Sequence, residues 1–193
     1  VRFTPSIASK SVVCEAFLGA PSKKGGSIFV DVAGQTFKSE VKPGDMVVSV
    51  KLPLAEPRLW TLEDPCLYDV AVRFGDDAVK SYFGFREIGV GRNPNGDSYM
   101  TLNGKPLYLQ MCLDQSYHPE GWYTFPSDEA MKRDILISKS LALAGNRVHI
   151  KVEMPRKLYW ADRLGILIQA DVPCAWGDAC EAGFEEHFKC FEG

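Results

Sequence analysis

The sequence predicts two fold classes in one chain: a β-rich first half and an α/β second half. Three observations carry this. Short Val-, Ile- and Phe-rich runs separated by turn residues fill residues 1–88, a strong helix-start signal first appears at Ser127, and residues 147–171 read as strand, helix, strand. Several short strands at about ten-residue spacing argue for an antiparallel sandwich, whereas strands alternating with helices argue for a parallel sheet.

In the first half, strands are predicted over 11–18, 27–32, 46–52, 67–74 and 79–88, with turns at 21–26, 42–45 and 75–77. Val12, Cys14, Ala16 and Leu18 alternate with more polar neighbours, as a half-buried strand requires. Residues 1–88 hold no His and no concentrated polar cluster, so this half reads as scaffold, with Trp60 and Tyr68 in its core. Residues 89–98 (GVGRNPNGDS) read as a turn-rich linker.

The second domain is placed at 89–193. Asn103-Gly104 is a hairpin turn signal between strands at 99–102 and 105–108. A buried strand is predicted over 107–113. Ser127 is suited to cap the next helix, with Asp128 and Glu129 in the first turn where the helix dipole favours acids. Met131, Ile135 and Leu136 are predicted on one helix face, continued by Leu141 or Leu143. Polar and apolar residues alternate over 147–152, a strand signal. Pro155 opens the second helix as a pre-set first-turn residue, and Gly165 closes it where a left-handed cap is wanted. The apolar run 166–168 is the third strand, and a last helix is predicted over 181–191. The order β-α-β-α-β implies a parallel sheet with right-handed crossovers, a fold in which chemistry is placed at strand ends.

Bulk properties exclude some classes of function. The 193 residues are 46% hydrophobic and 24% charged, ordinary for a chain that buries a core. Net charge is −3, so no nucleic-acid partner is expected. No apolar run approaches the roughly 18 residues that span a bilayer, so no membrane partner is expected either. Arg2, Thr4 and Pro5 stand where a leader would need apolar residues, and position 1 is not Met, which suggests a processed chain or an excised piece. The six cysteines lack C-x-x-C pairs and are expected to be mostly reduced thiols, although Cys174 and Cys180 could pair.

Particular residues then point to a family. Pro57-Arg58-Leu59-Trp60, Asp64-Pro65-Cys66-Leu67-Tyr68 and Phe83-Gly84-Phe85-Arg86 resemble the end of the immunoglobulin-like domain of glycoside hydrolase family 2. That family includes β-galactosidases, β-glucuronidases and β-mannosidases. Leu102-Asn103-Gly104-Lys105-Pro106 resembles the start of its catalytic TIM barrel, and Leu113-Asp114-Gln115 and Arg147-Val148-His149 resemble the ends of its first two barrel strands. Residues 158–165 with Asp171-Val172-Pro173 are similar to the second barrel helix and third strand.

The resemblance implies an immunoglobulin-like sandwich over 1–88 followed by about three of eight strands of a (β/α)8 barrel over 89–193. A full barrel needs about 250 residues. It also implies a retaining hydrolase of terminal β-linked sugars, with a β-glycoside as partner. The family's acid/base glutamate follows an Asn near the end of the fourth barrel strand, and its nucleophilic glutamate lies on a later one. Nothing after Asp171 matches either, so this chain alone is expected to be inactive. The β-galactosidase branch binds Mg²⁺ through a Glu and a His just after the third strand. Ala175 and Trp176 stand there, so no metal and no cofactor are expected. An unclosed parallel sheet leaves an unpaired edge, from which self-association is expected. A non-catalytic carbohydrate-binding or scaffold protein is the alternative.

Without the reacting carboxylates, the remaining candidates bind and orient sugar. Asp114 ends the first parallel strand, where it could accept hydrogen bonds from hydroxyls or cap a loop. Arg147 and His149 are an i, i+2 pair on one strand face. Arg147 could position a catalytic carboxylate and His149 reach a hydroxyl, or they could form a buried ion pair with Asp114 or Asp171. Asp171 ends the third strand. Trp176 is either a stacking platform for sugar C–H faces or packing. His118, with Tyr117, could rim a pocket on the loop after the first strand. Lys151 and Glu153 are equally a surface pair or a supporting network.

Overall fold

The computed structural model describes residues 1–115 and 117–171. Ten strands precede the parallel segment: β1 (Arg2–Ser6), β2 (Ser11–Phe17), β3 (Gly26–Val32), β4 (Gln35–Val41), β5 (Val47–Pro53), β6 (Tyr68–Phe74), β7 (Asp77–Phe83), β8 (Ile88–Arg92), β9 (Ser98–Leu102) and β10 (Lys105–Pro106). The sequence β11 (Met111–Asp114), α1 (Asp128–Ser140), β12 (Gly145–Val148), α2 (Pro155–Leu164), β13 (Leu167–Ala170) follows. Two compact units result, residues 1–60 with 66–87 and residues 61–65 with 88–193.

The strands of the first unit all pair antiparallel, and one isolated parallel bridge joins Leu59 to Phe85. One sheet has the order β1-β2-β5 and the other β4-β3-β6-β7. Their period-2 apolar faces meet in one core: Val12, Cys14 and Ala16 of β2 and Val48, Val50 and Leu52 of β5 cluster with Ile28, Val30 and Val32 of β3 and Val70 and Val72 of β6. Trp60 and Phe85 are fully buried, and Tyr68 packs partly buried against the cluster. Arg86 lies 4.7 Å above the Trp60 ring. Burial pushes the Cys14 thiol up to about 11. Cys14, Cys66 and Cys112 are free thiols; the other three cysteines lie outside the described residues.

Two strands of this unit escape the sequence pattern, both at sheet edges. β1 contains Pro5, which only an edge tolerates, and β4 (QTFKSEV) buries a single residue, Val41. The expected linker is also partly strand. Gly89 to Arg92 belong to β8, which pairs with β9 across a turn fixed by Asn93, whose Oδ1 accepts from Asp97 N at 2.9 Å. Cross-strand pairing outweighs the low strand propensity of the glycines. Asn103 and Gly104 both adopt positive φ (54° and 75°), as a type I′ hairpin turn requires.

In the second unit, β11, β12 and β13 form a parallel sheet in sequence order. Ser127 caps α1, its Oγ accepting from Ala130 N at 3.2 Å. Pro155 stands in the first turn of α2, and Gly165 ends it at φ 76°. Ile135, Ala161 and Ile166 form the buried centre, with Trp160, Leu164 and Ile168 packed against it. Among the described residues no helix is long and apolar enough to cross a membrane.

Three expectations need correction here. The first parallel strand is Met111–Asp114 rather than 107–113, and it is not fully buried. Leu136 is 51% exposed and Leu141 63%, so the core face of α1 is Met131, Ile135 and Ser138. The strand expected over 147–152 holds only at its first two residues: β12 runs from Gly145 to Val148, and Ile150 has positive φ. The alternation fails there because Lys151 and Glu153, rather than the apolar Ile150 and Val152, turn inward. The helix expected over 181–191 lies outside the described residues.

Candidate functional site

The parallel register brings three polar residues to neighbouring strand ends. Asp114 closes β11, His149 directly follows β12 and Asp171 directly follows β13. The ladder extends past the strands: His149 N donates to Asp114 O (2.8 Å) and Asp171 N to Val148 O (3.0 Å). Adjacent parallel strands lie about 4.8 Å apart, so side chains from these ends reach one another.

Alternation divides these residues between two sheet faces. Leu113, Arg147 and Gln169 are in register and all exposed, forming one face. From that face Arg147 grips Asp171, with Nε to Oδ1 at 3.2 Å and NH2 to Oδ2 at 2.5 Å. This two-point pairing fixes the carboxylate plane. The Arg147 side chain is 46% exposed, and such a pair contributes only about 0–1 kcal/mol to stability. Stability alone therefore gives little reason for its geometry. His149 Nδ1 lies 3.1 Å from Gln115 Oε1, so the ring is oriented from the first strand end.

Asp114 shares the other face with fully buried Val148. Its carboxylate meets Lys157 Nζ of α2 at 2.5 Å. Lys157 is completely buried and also lies 3.1 Å from Asp134 and 3.6 Å from Glu153, under the Phe125 ring at 4.5 Å. Glu153 pairs in turn with Lys151 (3.3 Å) and accepts from Met154 N (2.8 Å). Two ammonium groups and three carboxylates thus share a largely buried cluster. Burial pushes the Lys157 ammonium down, but the Asp114 hydrogen bond and the charges of Asp114, Asp134 and Glu153 outweigh it and hold the group above its ordinary value.

Lys157 is the member that sequence reading missed. A signal existed: Lys157 stands four residues before Ala161 and seven before Leu164, on the stripe that faces the core, and four after Glu153. A lysine on such a stripe needs buried partners. Lys151 and Glu153 form the buried version of their two readings.

His118 sits in a turn of its own on the loop after β11. Its backbone exchanges two hydrogen bonds of 2.8 Å with Trp122, and its Nδ1 faces the N–H groups of Glu120 (3.2 Å) and Gly121 (3.3 Å). Trp176 lies outside the described residues. Among the described residues, no group of three or more His, Cys, Asp or Glu side chains is arranged to hold a metal ion.

Known proteins resemble this chain in sequence and in fold. Residues 15–86 match the family model described as Glycosyl hydrolases family 2. The chain is 31% identical over 130 residues to a "Beta-galactosidase" of Photobacterium profundum, which spans 64% of this chain and 12% of that protein. It is 28% identical over 149 residues to "Beta-galactosidase 2" of Enterobacter cloacae, 76% of this chain and 14% of that one. Among solved structures, the β-glucuronidase of Parabacteroides merdae superimposes with TM-score 0.74 at 19% identity, covering 96% of this chain and 25% of that one. A Bacteroides uniformis β-glucuronidase matches at TM-score 0.65 and 28% identity, over 84% of this chain and 21% of that one. The chain therefore spans only about an eighth of the length of the curated relatives it matches. The family model lies within the first unit, and relatives in sequence and in fold carry glycosidase names, so the comparisons support a fragment of glycosyl hydrolases family 2.

Proposed function

We propose that this chain is part of a retaining glycoside hydrolase acting on a terminal β-linked sugar. Residues 1–88 would be its immunoglobulin-like sandwich, and residues 89–193 the first three strand–helix units of a TIM barrel. The observation that carries the reading is the Arg147–Asp171 pair, set across two neighbouring parallel strand ends with His149 beside it. In barrels of this kind the carboxyl ends of the strands form the active site. The exposed row Leu113, Arg147 and Gln169 is the face that further strands would enclose.

In this reading Arg147 and Asp171 set the shape and charge of the pocket floor. His149 offers a ring nitrogen to a sugar hydroxyl, and Asp114 fixes the end of β11 through Lys157. Trp176 would add a stacking surface and His118 would hold the rim loop. Retaining hydrolysis needs two carboxyl groups about 5–5.5 Å apart, one protonated and one ionised. Those two glutamates would come from beyond the three strand units, so the chain alone binds sugar without cleaving it, and its open sheet edge favours self-association.

Nitrophenyl β-galactoside, β-glucuronide and β-mannoside test this directly. The full-length parent should turn over at least one of them, and the isolated 193 residues none. A parent inert toward all three overturns the hydrolase reading, and turnover by the isolated chain overturns its predicted inactivity.

A further inference from the structure

The loop that leaves β11 carries three aromatic rings at its surface. Tyr117 is 59% exposed, Trp122 68% and Tyr123 61%. They touch edge to face: Tyr117 lies 6.1 Å from Trp122 and 5.9 Å from Tyr123, with interplanar angles of 69° and 83°. Three rings left this exposed forgo a large part of the apolar burial that aromatic residues normally supply. Touching exposed rings of this kind form a contact surface, for a ligand or for the rest of a longer protein.

The loop around the rings is built rather than slack. Trp122 is held at φ 57°, a region that a bulky residue rarely occupies, by its two backbone hydrogen bonds to His118. A Cβ at Gly121 would collide with the carbonyl oxygen of Thr124, so the tight turn requires glycine there. Tyr123 is fastened from below: the buried Lys151 ammonium donates to its carbonyl oxygen at 2.7 Å and lies 5.1 Å from its ring centre. Lys151 belongs to the same charge cluster that fixes Asp114, through Glu153. The cluster thus couples the aromatic loop to the strand ends.

We infer that Tyr117, Trp122 and Tyr123 form a stacking platform for a second sugar ring of the substrate, the one on the leaving-group side. The inference rests on the proposed hydrolase reading. A β-linked pyranose presents an apolar C–H face about the size of an indole, and the polarised C–H groups sit favourably on the electron-rich ring face. The platform's loop begins just after Asp114, at the carboxyl end of the sheet where the sugar would be cleaved. An aliphatic surface would serve a protein partner as well; three touching rings on a tightly held loop, with exposed Glu120 and Thr124 beside them, suit a saccharide with one apolar face and hydroxyls at its edge.

The test uses the full-length parent with Trp122→Ala and Trp122→Phe. Hydrolysis is compared for two substrates of whichever glycone the parent cleaves: the glycosyl fluoride, which has no leaving-group ring, and a disaccharide. Trp122→Ala should raise KM about ten-fold more for the disaccharide than for the fluoride, the scale of one lost ring contact, and Trp122→Phe should recover most of it. An equal change for both substrates, or none, overturns the platform. Independently of activity, the wild-type minus Trp122→Phe difference emission should be quenched by iodide and protected by lactose, cellobiose or mannobiose. Failure of iodide to reach Trp122 means the rest of the protein covers it, and overturns the platform, as does a lack of response to all three sugars. An active parent without a sugar response ends the platform alone; an inactive parent with one ends the hydrolase reading and with it the leaving-group role, leaving only a sugar-binding surface.

Discussion

Lys157 and Asp114 join helix α2 to the end of strand β11 by an ion pair of 2.5 Å whose ammonium is wholly removed from solvent. Desolvating such a group costs several kcal/mol, which only well-placed partners offset. Here Asp114, Asp134 and Glu153 all approach it. Lys157→Met keeps the apolar stem and removes the charge, leaving buried carboxylates under-compensated. The expected cost is about 3–5 kcal/mol, read as a lower midpoint in urea unfolding. A change below about 1 kcal/mol would show that the cluster adds little beyond packing.

The Arg147–Asp171 pair should behave in the opposite way. With the Arg147 side chain half-exposed, the pair contributes at most about 1 kcal/mol to stability, so Asp171→Asn should barely move the unfolding midpoint. In the full-length protein the same change should lower kcat/KM by about 10- to 100-fold, through displacement of the groups it positions. Arg147→Ala should cost a similar factor, and the double variant little more, because the two act as a unit. Additive losses would mean that each residue acts separately.

Acid titration should report on the first helix. The Arg156 guanidinium, bonded to both oxygens of Asp128, holds that carboxyl down from 3.8 to about 2. A depressed folded-state value means that the stabilisation is present above pH 3.8 and is lost as pH falls toward about 2. Asp128→Asn should therefore flatten the pH dependence of the unfolding free energy in that window, without altering it near neutrality. Denaturant titrations between pH 2 and 5 measure this; an unchanged slope would exclude the pair as its source.

Gly165→Ala should be costly for two separable reasons. At φ 76° a Cβ is disfavoured by roughly 1–2 kcal/mol. The added carbon would also stand 2.5 Å from Leu62 O and 3.1 Å from Lys139 Nζ. Lys139 Nζ now donates to both Leu62 O (2.7 Å) and Gly165 O (2.9 Å), so the clash strains that bridge. Gly165→Asn tolerates positive φ better but keeps the clash; a loss close to that of alanine would identify crowding as the larger part.

The sequence by itself determined what depends on local periodicity and on chemistry at chain breaks. Alternation in β2, β3 and β5, the Asn103-Gly104 turn, the Ser127 cap and the Pro155 and Gly165 helix limits are local signals, and each appears in the structure. The order β-α-β-α-β and the placing of Asp114 and Asp171 at strand ends followed from the same grammar, whereas His149 is placed at a strand end by the family resemblance and stands inside the strand expected over 147–152. Tertiary structure decided what depends on partners distant in sequence. Edge strands β1 and β4 exist because neighbours satisfy their backbones, a condition that their own weak patterns do not express. Pairing with β9 made strand of a glycine-rich linker. Above all, the inward turn of Lys151, Glu153 and Lys157 reversed the apparent polarity pattern after Val148. A charge is buried only when opposite charges from other elements surround it, and α1, β11 and the segment before α2 supply them here.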